Sequence, residues 1–326
     1  MPRPIRILSI DGGGIRGIIP AMVLAELERR AQRPICRLFD LVAGTSTGGI
    51  LALALTKPND RGEPAFTAAQ LIELYEQEGE TIFSPAWHRW PIIGFLYDLF
   101  FVRYSARHIE RVLHKYFGDT RLSEAIVPLL ITAYELEKRD PWLFKSEKAK
   151  IRTDHDFPMR IAAQATAAAP TYFPPISLPA PPPIRQYALI DGGVYAQNPA
   201  MSAYVEAHTI YPDARDFLIV SLGTGQTTEP IPYRNAKRWG LAGWARPVLD
   251  TVFDSVSDTV DYQLDQLLPP SGGSKRHYRF QTKLRPNQAE LDDASPANIQ
   301  NLKRVAEQLI ADNDQALSAL AAELAA

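Results

Sequence analysis

Two apolar runs, each followed directly by glycines and then by a helical pattern, constrain the fold of this chain more than any other feature. The first run is "IRILSI" (residues 5–10), followed by "DGGG" and a helical spacing of apolar residues from about Gly17 to Arg30. The second is "RLFDLVAG" (residues 37–44), followed by "TSTGG" and the buried helical pattern "ILALALT". Repetition of strand, tight turn and helix is typical of a mainly parallel sheet flanked by helices, so we predict an α/β fold.

The rest of the chain continues this alternation of helices and strands. Helices are predicted over residues 66–83, 105–118, 160–169, 200–211 and 294–317, and strands over residues 127–137, 141–146, 186–190, 216–222 and 277–284. Thr67 and Ser105 are predicted N-caps of two of these helices. Because no internal repeat or linker is evident, we predict one domain over residues 1–326, with a core at about residues 5–230 and a strand and helix at about 277–320 packed on it.

The balance of charges and the cysteine count exclude several classes of protein. The chain has 35 basic and 37 acidic residues without a long block of one sign, which argues against nucleic acid as a partner. The single cysteine, Cys36, excludes an internal disulfide and a cysteine-based metal cluster, and we predict that it is buried. The start "MPRP" lacks the pattern of a secretory signal, and the apolar stretch Trp90–Tyr104 is too short to span a membrane. We therefore expect a cytoplasmic protein that can contact membranes peripherally.

A G-x-S-x-G pattern lies between the second predicted strand and its helix. It runs from Gly44 to Gly48 with Ser46 at its centre. In a nucleophile elbow the serine occupies a strained turn from strand to helix, and the two glycines remove side chains that would collide there. The alternative interpretation is that Ser46 only N-caps the helix that starts near Thr47. The position between strand and helix favours the nucleophile.

A serine nucleophile needs a base within hydrogen-bond reach. The chain has six histidines, each interpreted as a surface or capping residue: His88, His108, His114, His155, His208 and His277. Of these, only His208 and His277 follow a central acidic residue, as a triad in α/β-hydrolase order requires. Asp191 is a better candidate, because it ends the strand "QYALI" and the glycines after it allow close approach. Its alternative role is that of a turn-forming residue in an Asp-Gly-Gly sequence.

The first glycine loop, residues 12–17, fits the G-x-G-x-x-G pattern of dinucleotide-binding proteins. Such a site needs an acidic residue about 20 positions further on, at the end of the next strand. Glu26 and Glu28 lie within the predicted helix, and Asp40 lies at the entry of the second strand. Asp11 places a negative charge directly before the loop. The loop is better suited to holding an oxyanion with backbone N–H groups, as acyl transfer requires.

Three motifs in order resemble the signatures of the patatin-like phospholipases. They are "DGGGIRG" (residues 11–17), "GTSTGG" (residues 44–49) and "DGG" (residues 191–193). Three further segments are similar to that family: "AAPTYFPP" (residues 168–175), "QNP" (residues 197–199) and "SLGTG" (residues 221–225). The resemblance covers roughly residues 5–310 and implies a three-layer α/β/α fold with a Ser-Asp dyad in place of a triad.

Carried over to this chain, the resemblance makes Ser46 the nucleophile and Asp191 the base. The oxyanion loop is then Gly12, Gly13 and Gly14, with Arg16 as a nearby support, and the elbow glycines are Gly44 and Gly48. Gln197 occupies a position where many members have asparagine, a departure expected not to touch the chemistry.

The expected function is that of a lipid acyl hydrolase of the phospholipase A, lysophospholipase or esterase type. No cofactor or metal is expected, because no spacing of histidines and carboxylates resembles a ligand set. The aromatic stretch Trp87–Tyr104 and the proline-rich rim Pro170–Pro183 are candidates for an acyl-binding groove or a lipid contact. The alternatives are a storage or ligand-activated regulatory protein with a vestigial or controlled esterase site, and a dinucleotide-dependent oxidoreductase.

Overall fold

The computed structural model describes residues 3–84, 102–179, 186–227, 229–244, 247–270 and 274–326. Most of the aromatic stretch, Trp87 to Phe101, and the end of the proline-rich rim, residues 180–183, therefore lie outside the described residues. No helix within the described ranges is both long enough and apolar enough to cross a membrane.

A central sheet forms the middle layer, with short apolar strands as the sequence predicts. Its strands are β1 (Ile5–Ile10), β2 (Leu41–Gly44), β3 (Leu129–Glu135), β4 (Asp140–Lys145), β5 (Ile176–Pro179), β6 (Gln186–Asp191), β7 (Phe217–Leu222) and, after the short β8 (Gln226–Thr227), β9 (His277–Phe280). A further strand, β10 (Lys283–Leu284), pairs with β8. The order β5-β6-β3-β2-β1-β7-β9 is parallel from β3 to β9 and antiparallel where β6 joins β3 and β5 joins β6.

The two strands that precede the predicted nucleophile and base share one edge of β3. The other edge is occupied by β4, which pairs with residues 130–135. On the shared edge, β2 runs parallel to β3 and pairs with residues 129–131, whereas β6 runs antiparallel and pairs with residues 133–135. The carboxyl ends of β2 and β6 therefore meet head to head at Thr132.

Helices cover both faces of the sheet. They are α1 (Ile18–Ala31), α2 (Thr47–Thr56), α3 (Ala68–Ile82), α4 (Ala106–Phe117), α5 (Ser146–Ile151), α6 (Met159–Thr166), α7 (Gly193–Ala196), α8 (Ala200–Ile210), α9 (Tyr233–Ala236), α10 (Leu241–Trp244), α11 (Pro247–Leu267), α12 (Pro296–Asp312) and α13 (Asp314–Ala325). The predicted caps are confirmed, because Thr67 forms a capping box with Gln70 and the Ser105 side chain accepts a hydrogen bond from the Arg107 N–H.

Alternating side chains of the strands divide the core into two layers, as the period of two in a strand requires. In β1, Leu8 and Ile10 pack with helices α1 to α4, α6, α12 and α13. On the opposite face Ile7 packs with α8 and with Leu264 of α11. The three-layer α/β/α architecture is therefore confirmed. Cys36 is buried, also as predicted.

Two predictions about helices were incomplete. The sequence does not predict α11, whose region was treated as polar connecting chain. The single helix predicted over residues 294–317 is two helices, α12 and α13, because the chain leaves the helical conformation at Asn313, whose side chain donates to the Leu309 carbonyl at 2.9 Å. The final helix is held to the sheet by Arg6, which donates to the carbonyls of Glu323 and Leu324.

Candidate active site

Ser46 lies on a strained turn between β2 and α2. Its backbone angles, φ 55° and ψ −124°, fall in a region that residues with side chains rarely adopt. A Cβ atom at Gly44 would lie 2.2 Å from the Gly48 carbonyl oxygen, and one at Gly48 would lie 2.2 Å from the Ile10 carbonyl oxygen. Only glycine fits at either position, which agrees with the predicted elbow. Ser46 occupies the N-cap position of α2, but among the described residues its side chain accepts no hydrogen bond from a helical N–H group, so capping does not account for the serine.

Neighbouring threonines hold this turn in place. The Ser46 N–H donates to Thr166 Oγ1 at the end of α6, at 2.8 Å. The Thr45 hydroxyl lies 2.7 Å from the Thr132 hydroxyl and donates to the Ala196 carbonyl at 2.6 Å. These bonds connect the elbow to β3 and to Ala196, which follows β6. Asp191 is the last residue of β6.

Asp191 ends β6 and is 3% exposed. Its carboxylate accepts a hydrogen bond from the Gly193 N–H at 2.7 Å. Burial raises the pKa of Asp191 to about 7, and interactions with the Ser46 hydroxyl and the Gly193 N–H oppose this rise. The carboxyl of Asp191 can therefore take up or release a proton near neutral pH.

The glycines after Asp191 leave room for β3 and for the oxyanion loop. A Cβ atom at Gly192 would lie 2.2 Å from Thr132 Oγ1, and one at Gly193 would lie 2.8 Å from Gln197 Oε1. The close approach of the chain to Thr132 thus brings Asp191 next to the elbow.

Gly12 is fixed by Gln197. The Gly12 N–H donates to the Gln197 carbonyl at 3.0 Å, and the Gly12 carbonyl accepts from Gln197 Nε2 at 2.8 Å and from the Thr224 hydroxyl at 2.5 Å. The Gly12 N–H group is therefore engaged within the protein, so Gly12, predicted as part of the oxyanion loop, does not offer a free donor. Gln197, expected not to touch the chemistry, nevertheless anchors the loop with its side chain and lines the cavity described below.

Gly13 and Gly14 remain as the candidate donors. Within the described part of the chain, neither N–H group donates to a protein acceptor. A Cβ atom at Gly13 would lie 2.3 Å from Thr224 Oγ1, and one at Gly14, whose φ is +56°, would lie 2.1 Å from the Leu291 carbonyl oxygen. Arg16 supports the loop through hydrogen bonds to the Gly13 carbonyl and, at 3.3 Å, to the Ala289 carbonyl.

Asp11, directly before the loop, is 2% exposed and paired with a cation. Arg279 contacts both of its carboxylate oxygens, at 2.9 and 2.5 Å, and the Ser257 hydroxyl donates to it at 3.3 Å. The negative charge that the sequence places directly before the loop is thus compensated by Arg279. The dinucleotide alternative still lacks its acidic partner, because Glu26, Glu28 and Asp40 are each engaged with other protein groups.

A cavity of about 80 Å³ opens beside these groups. Polar residues of the site and apolar residues together line it. The lining residues are Gly13, Gly14, Ile15, Ser46, Thr47, Ile50, Leu74, Tyr75, Gly79, Ile82, Phe83, Ile109, Ala167, Ala169, Tyr172, Phe173, Asp191, Gln197, Phe253 and Leu291. Tyr172 and Phe173 belong to the predicted proline-rich rim, so the described part of that rim does contribute to the lining. None of the described histidines lines the cavity, and His277, predicted at the surface, is 1% exposed.

A serine on a strained turn that lines an apolar cavity together with a buried carboxyl is an arrangement suited to acyl transfer. Comparison with known proteins agrees with this class. Residues 8–204 match the family described as "Patatin-like phospholipase". The chain belongs to this family of lipid acyl hydrolases.

Similar proteins occur in plants. Patatin-like protein 4 of Arabidopsis thaliana is 31% identical over 95% of this chain and 84% of its own length. Patatin group M-2 of Solanum tuberosum is 30% identical, also over 95% of this chain and 84% of its own length. Among solved structures, human GIVD cytosolic phospholipase A2 is similar with 10% identity and a TM-score of 0.44, over 99% of this chain and 60% of that one, and this likeness adds nothing to the assignment.

Proposed function

We propose that this protein hydrolyses fatty-acyl esters of lipids through a Ser46-Asp191 dyad, in the manner of a phospholipase A, lysophospholipase or esterase. The observation that carries the proposal is that Ser46, on its strained turn, and the buried carboxyl of Asp191, with a pKa of about 7, line the same apolar cavity. The apolar lining of the adjacent cavity supports an acyl chain as the bound group.

In the first half of the proposed reaction, Asp191 accepts the proton of the Ser46 hydroxyl as the oxygen attacks the ester carbonyl. The N–H groups of Gly13 and Gly14 donate to the oxyanion that forms, and the start of α2 at Thr47 adds the positive end of its dipole. The proton then passes from Asp191 to the leaving alcohol. The fatty acyl group remains on Ser46 as an ester.

In the second half, Asp191 accepts a proton from a water molecule that attacks the acyl-enzyme. The same two N–H groups stabilise the second oxyanion. Asp191 then returns the proton to Ser46 as the fatty acid leaves. A single carboxyl thus acts as base and acid in turn, which a pKa near neutral pH favours.

The test is a panel of acyl esters and lipids of varied chain length, assayed with the wild type and with Ser46→Ala. We expect turnover to fall by about 10³-fold or more in Ser46→Ala. Ser177→Ala is the matched control, because Ser177 is an exposed serine on β5. Activity in Ser46→Ala equal to that of the control would refute the proposal.

A fluorophosphonate probe separates a ready enzyme from the alternative functions. Labelling of Ser46 in the purified protein supports an active hydrolase. Labelling that requires an added activator supports a ligand-controlled site, and no labelling under any condition supports a storage role. The same reaction with Asp191→Asn should leave Ser46 almost unlabelled, since the base has been removed.

A further inference from the structure

A second cluster of chemically active side chains lies between α11 and the edge strand β9. It consists of Asp261 and Asp265, one helical turn apart on α11, and His277 on β9. One potential ligand atom from each of the three lies within 4.8 Å of the others. The separation of His277 from the two aspartates in sequence explains why no ligand spacing was recognised there.

The two nitrogens of His277 differ in their partners. Nδ1 lies 2.9 Å from Asp265 Oδ1, a hydrogen-bond distance, and this bond orients the ring. Nε2 lies 3.8 Å from Asp261 Oδ1, which is too far for a hydrogen bond. Within the described residues His277 Nε2 and Asp261 Oδ1 are both buried, and neither atom has a hydrogen-bond partner. Two unsatisfied polar atoms therefore face each other across a short gap.

We propose that this gap is a binding site for a divalent transition-metal ion of the zinc type, with His277 Nε2 and Asp261 Oδ1 as ligands. Such an ion lies about 2.0–2.2 Å from nitrogen and carboxylate ligands in a tetrahedral arrangement, so two ligand atoms of one ion are about 3.3–3.6 Å apart. The separation of 3.8 Å is a few tenths of an ångström longer, and a small rotation of the Asp261 side chain closes the difference. A proton alone leaves the same distance unbridged, because an N–H···O contact of this length is not a hydrogen bond.

Asp265, the third residue of the cluster, orients the imidazole ring of His277. A histidine that binds a metal usually donates its second ring N–H to a carboxylate, which fixes the tautomer. Asp265 occupies that position relative to His277 Nδ1. The side chains of Asp261 and Asp265 are 36% and 56% exposed, so water can reach the ion and complete its coordination. One imidazole and carboxylate oxygens favour zinc, cobalt or nickel over calcium or magnesium, which prefer oxygen ligands alone.

The charged neighbours are bound to other groups, although the positive charge of Arg279 also acts on the Asp261 carboxylate. Arg279, two residues further along β9, is held by both oxygens of Asp11, and Asp258 accepts a hydrogen bond from Gln226 Nε2 at 2.5 Å. A bound ion would join α11, which contributes Phe253 to the cavity, to the strand whose Arg279 holds the residue before the oxyanion loop. Its expected effect is to stabilise this wall of the molecule.

The experiment is calorimetric titration of the full-length protein, freed of metal with EDTA, with ZnCl₂. We expect one equivalent to bind and the melting temperature to rise. Asp261→Asn and His277→Asn should each weaken binding at least 10-fold, and Asp265→Asn by about 10- to 100-fold. His114→Asn is the matched control, because it removes an exposed histidine and should bind zinc as the wild type does.

Circular dichroism of each variant shows whether it is folded. If the His277 variant does not fold, zinc-edge X-ray absorption of the wild type tests the site directly, and we expect one imidazole with oxygen ligands. Absence of saturable binding, binding unaffected by Asp261→Asn, or a spectrum without imidazole would overturn the proposal.

Discussion

Two buried aspartates occupy equivalent places in this protein and differ in what surrounds them. Asp11 follows β1 and Asp191 ends β6, and each precedes two glycines. Asp11 is 2% exposed and Asp191 is 3% exposed. Arg279 contacts both oxygens of Asp11, whereas among the described residues Asp191 is paired with no cation. Burial raises the pKa of both carboxyls, and at Asp11 the charge and hydrogen bonds of Arg279 oppose that rise. At Asp191 no cation among the described residues does so, and its pKa is about 7.

The largest expected effect is on activity and separates the two carboxyls by role. Asp191→Asn keeps the shape of the side chain but cannot accept a proton, so we expect kcat/KM for an acyl ester to fall by about 10³-fold or more. The wild-type profile of kcat/KM should rise with pH and level off above an apparent pKa of about 7, because the deprotonated carboxyl is the base. A rise centred near pH 4 would contradict the raised pKa.

For Asp11 the expected loss is in stability. Asp11→Asn leaves the buried Arg279 without its counter-ion, and breaking a buried pair in this way costs about 3–5 kcal/mol of unfolding free energy. Urea denaturation monitored by tryptophan fluorescence measures this loss. The double variant Asp11→Asn with Arg279→Met removes the stranded charge and should recover part of it. Equal stability of Asp11→Asn and the wild type would show that the pair does not compensate.

The pH dependence of stability sharpens the comparison further. The pKa of Asp191 is raised in the folded state, so between about pH 4 and pH 7 the native protein binds more protons than the unfolded chain. The contribution of Asp191 to the free energy of unfolding is therefore lost as the pH rises from about 4 to about 7. Relative to Asp191→Asn, the wild type should lose about 3 kcal/mol between pH 5 and pH 8. Paired denaturation curves at the two pH values measure the difference.

The smallest expected effect concerns the strain at Ser46. A left-handed conformation costs a residue with a side chain of order 1–3 kcal/mol and costs glycine little. Ser46→Gly should therefore be more stable than Ser46→Ala by about 1 kcal/mol or more, although both lack the nucleophile. Thermal denaturation of the two variants compares them directly. A more stable alanine variant would mean that the turn is not strained.

The sequence predicts those parts of the fold in which the buried residues are apolar and the exposed residues are polar. The strands β1 and β7 are mostly apolar runs, and the glycines around Ser46 mark its turn, so both were found. Helix α11 was missed although its apolar residues recur at helical spacing, at Val252, Val256, Val260 and Leu264, because frequent aspartates, serines and threonines make the stretch polar overall.

The candidate site likewise has residues that the sequence predicts and contacts that it does not. Ser46 and Asp191 could be named because their glycines lie at fixed offsets in the chain. The pairing of Asp11 with Arg279 and the anchoring of Gly12 by Gln197 join residues far apart in sequence, and no local pattern predicts such contacts. For this reason the sequence alone did not show that the Gly12 N–H group is engaged or that the charge of Asp11 is compensated.

The head-to-head approach of β2 and β6 on β3 has a consequence for folding. Ser46 and Asp191 come together only after both strands have paired with the same edge of β3, one from each direction. During synthesis the serine is complete long before its base has been made, so the unfinished chain carries an inert hydroxyl. Reactivity of Ser46 toward a covalent probe therefore reports that this part of the sheet has assembled, and it can serve as a folding assay in which no spectroscopic label is needed.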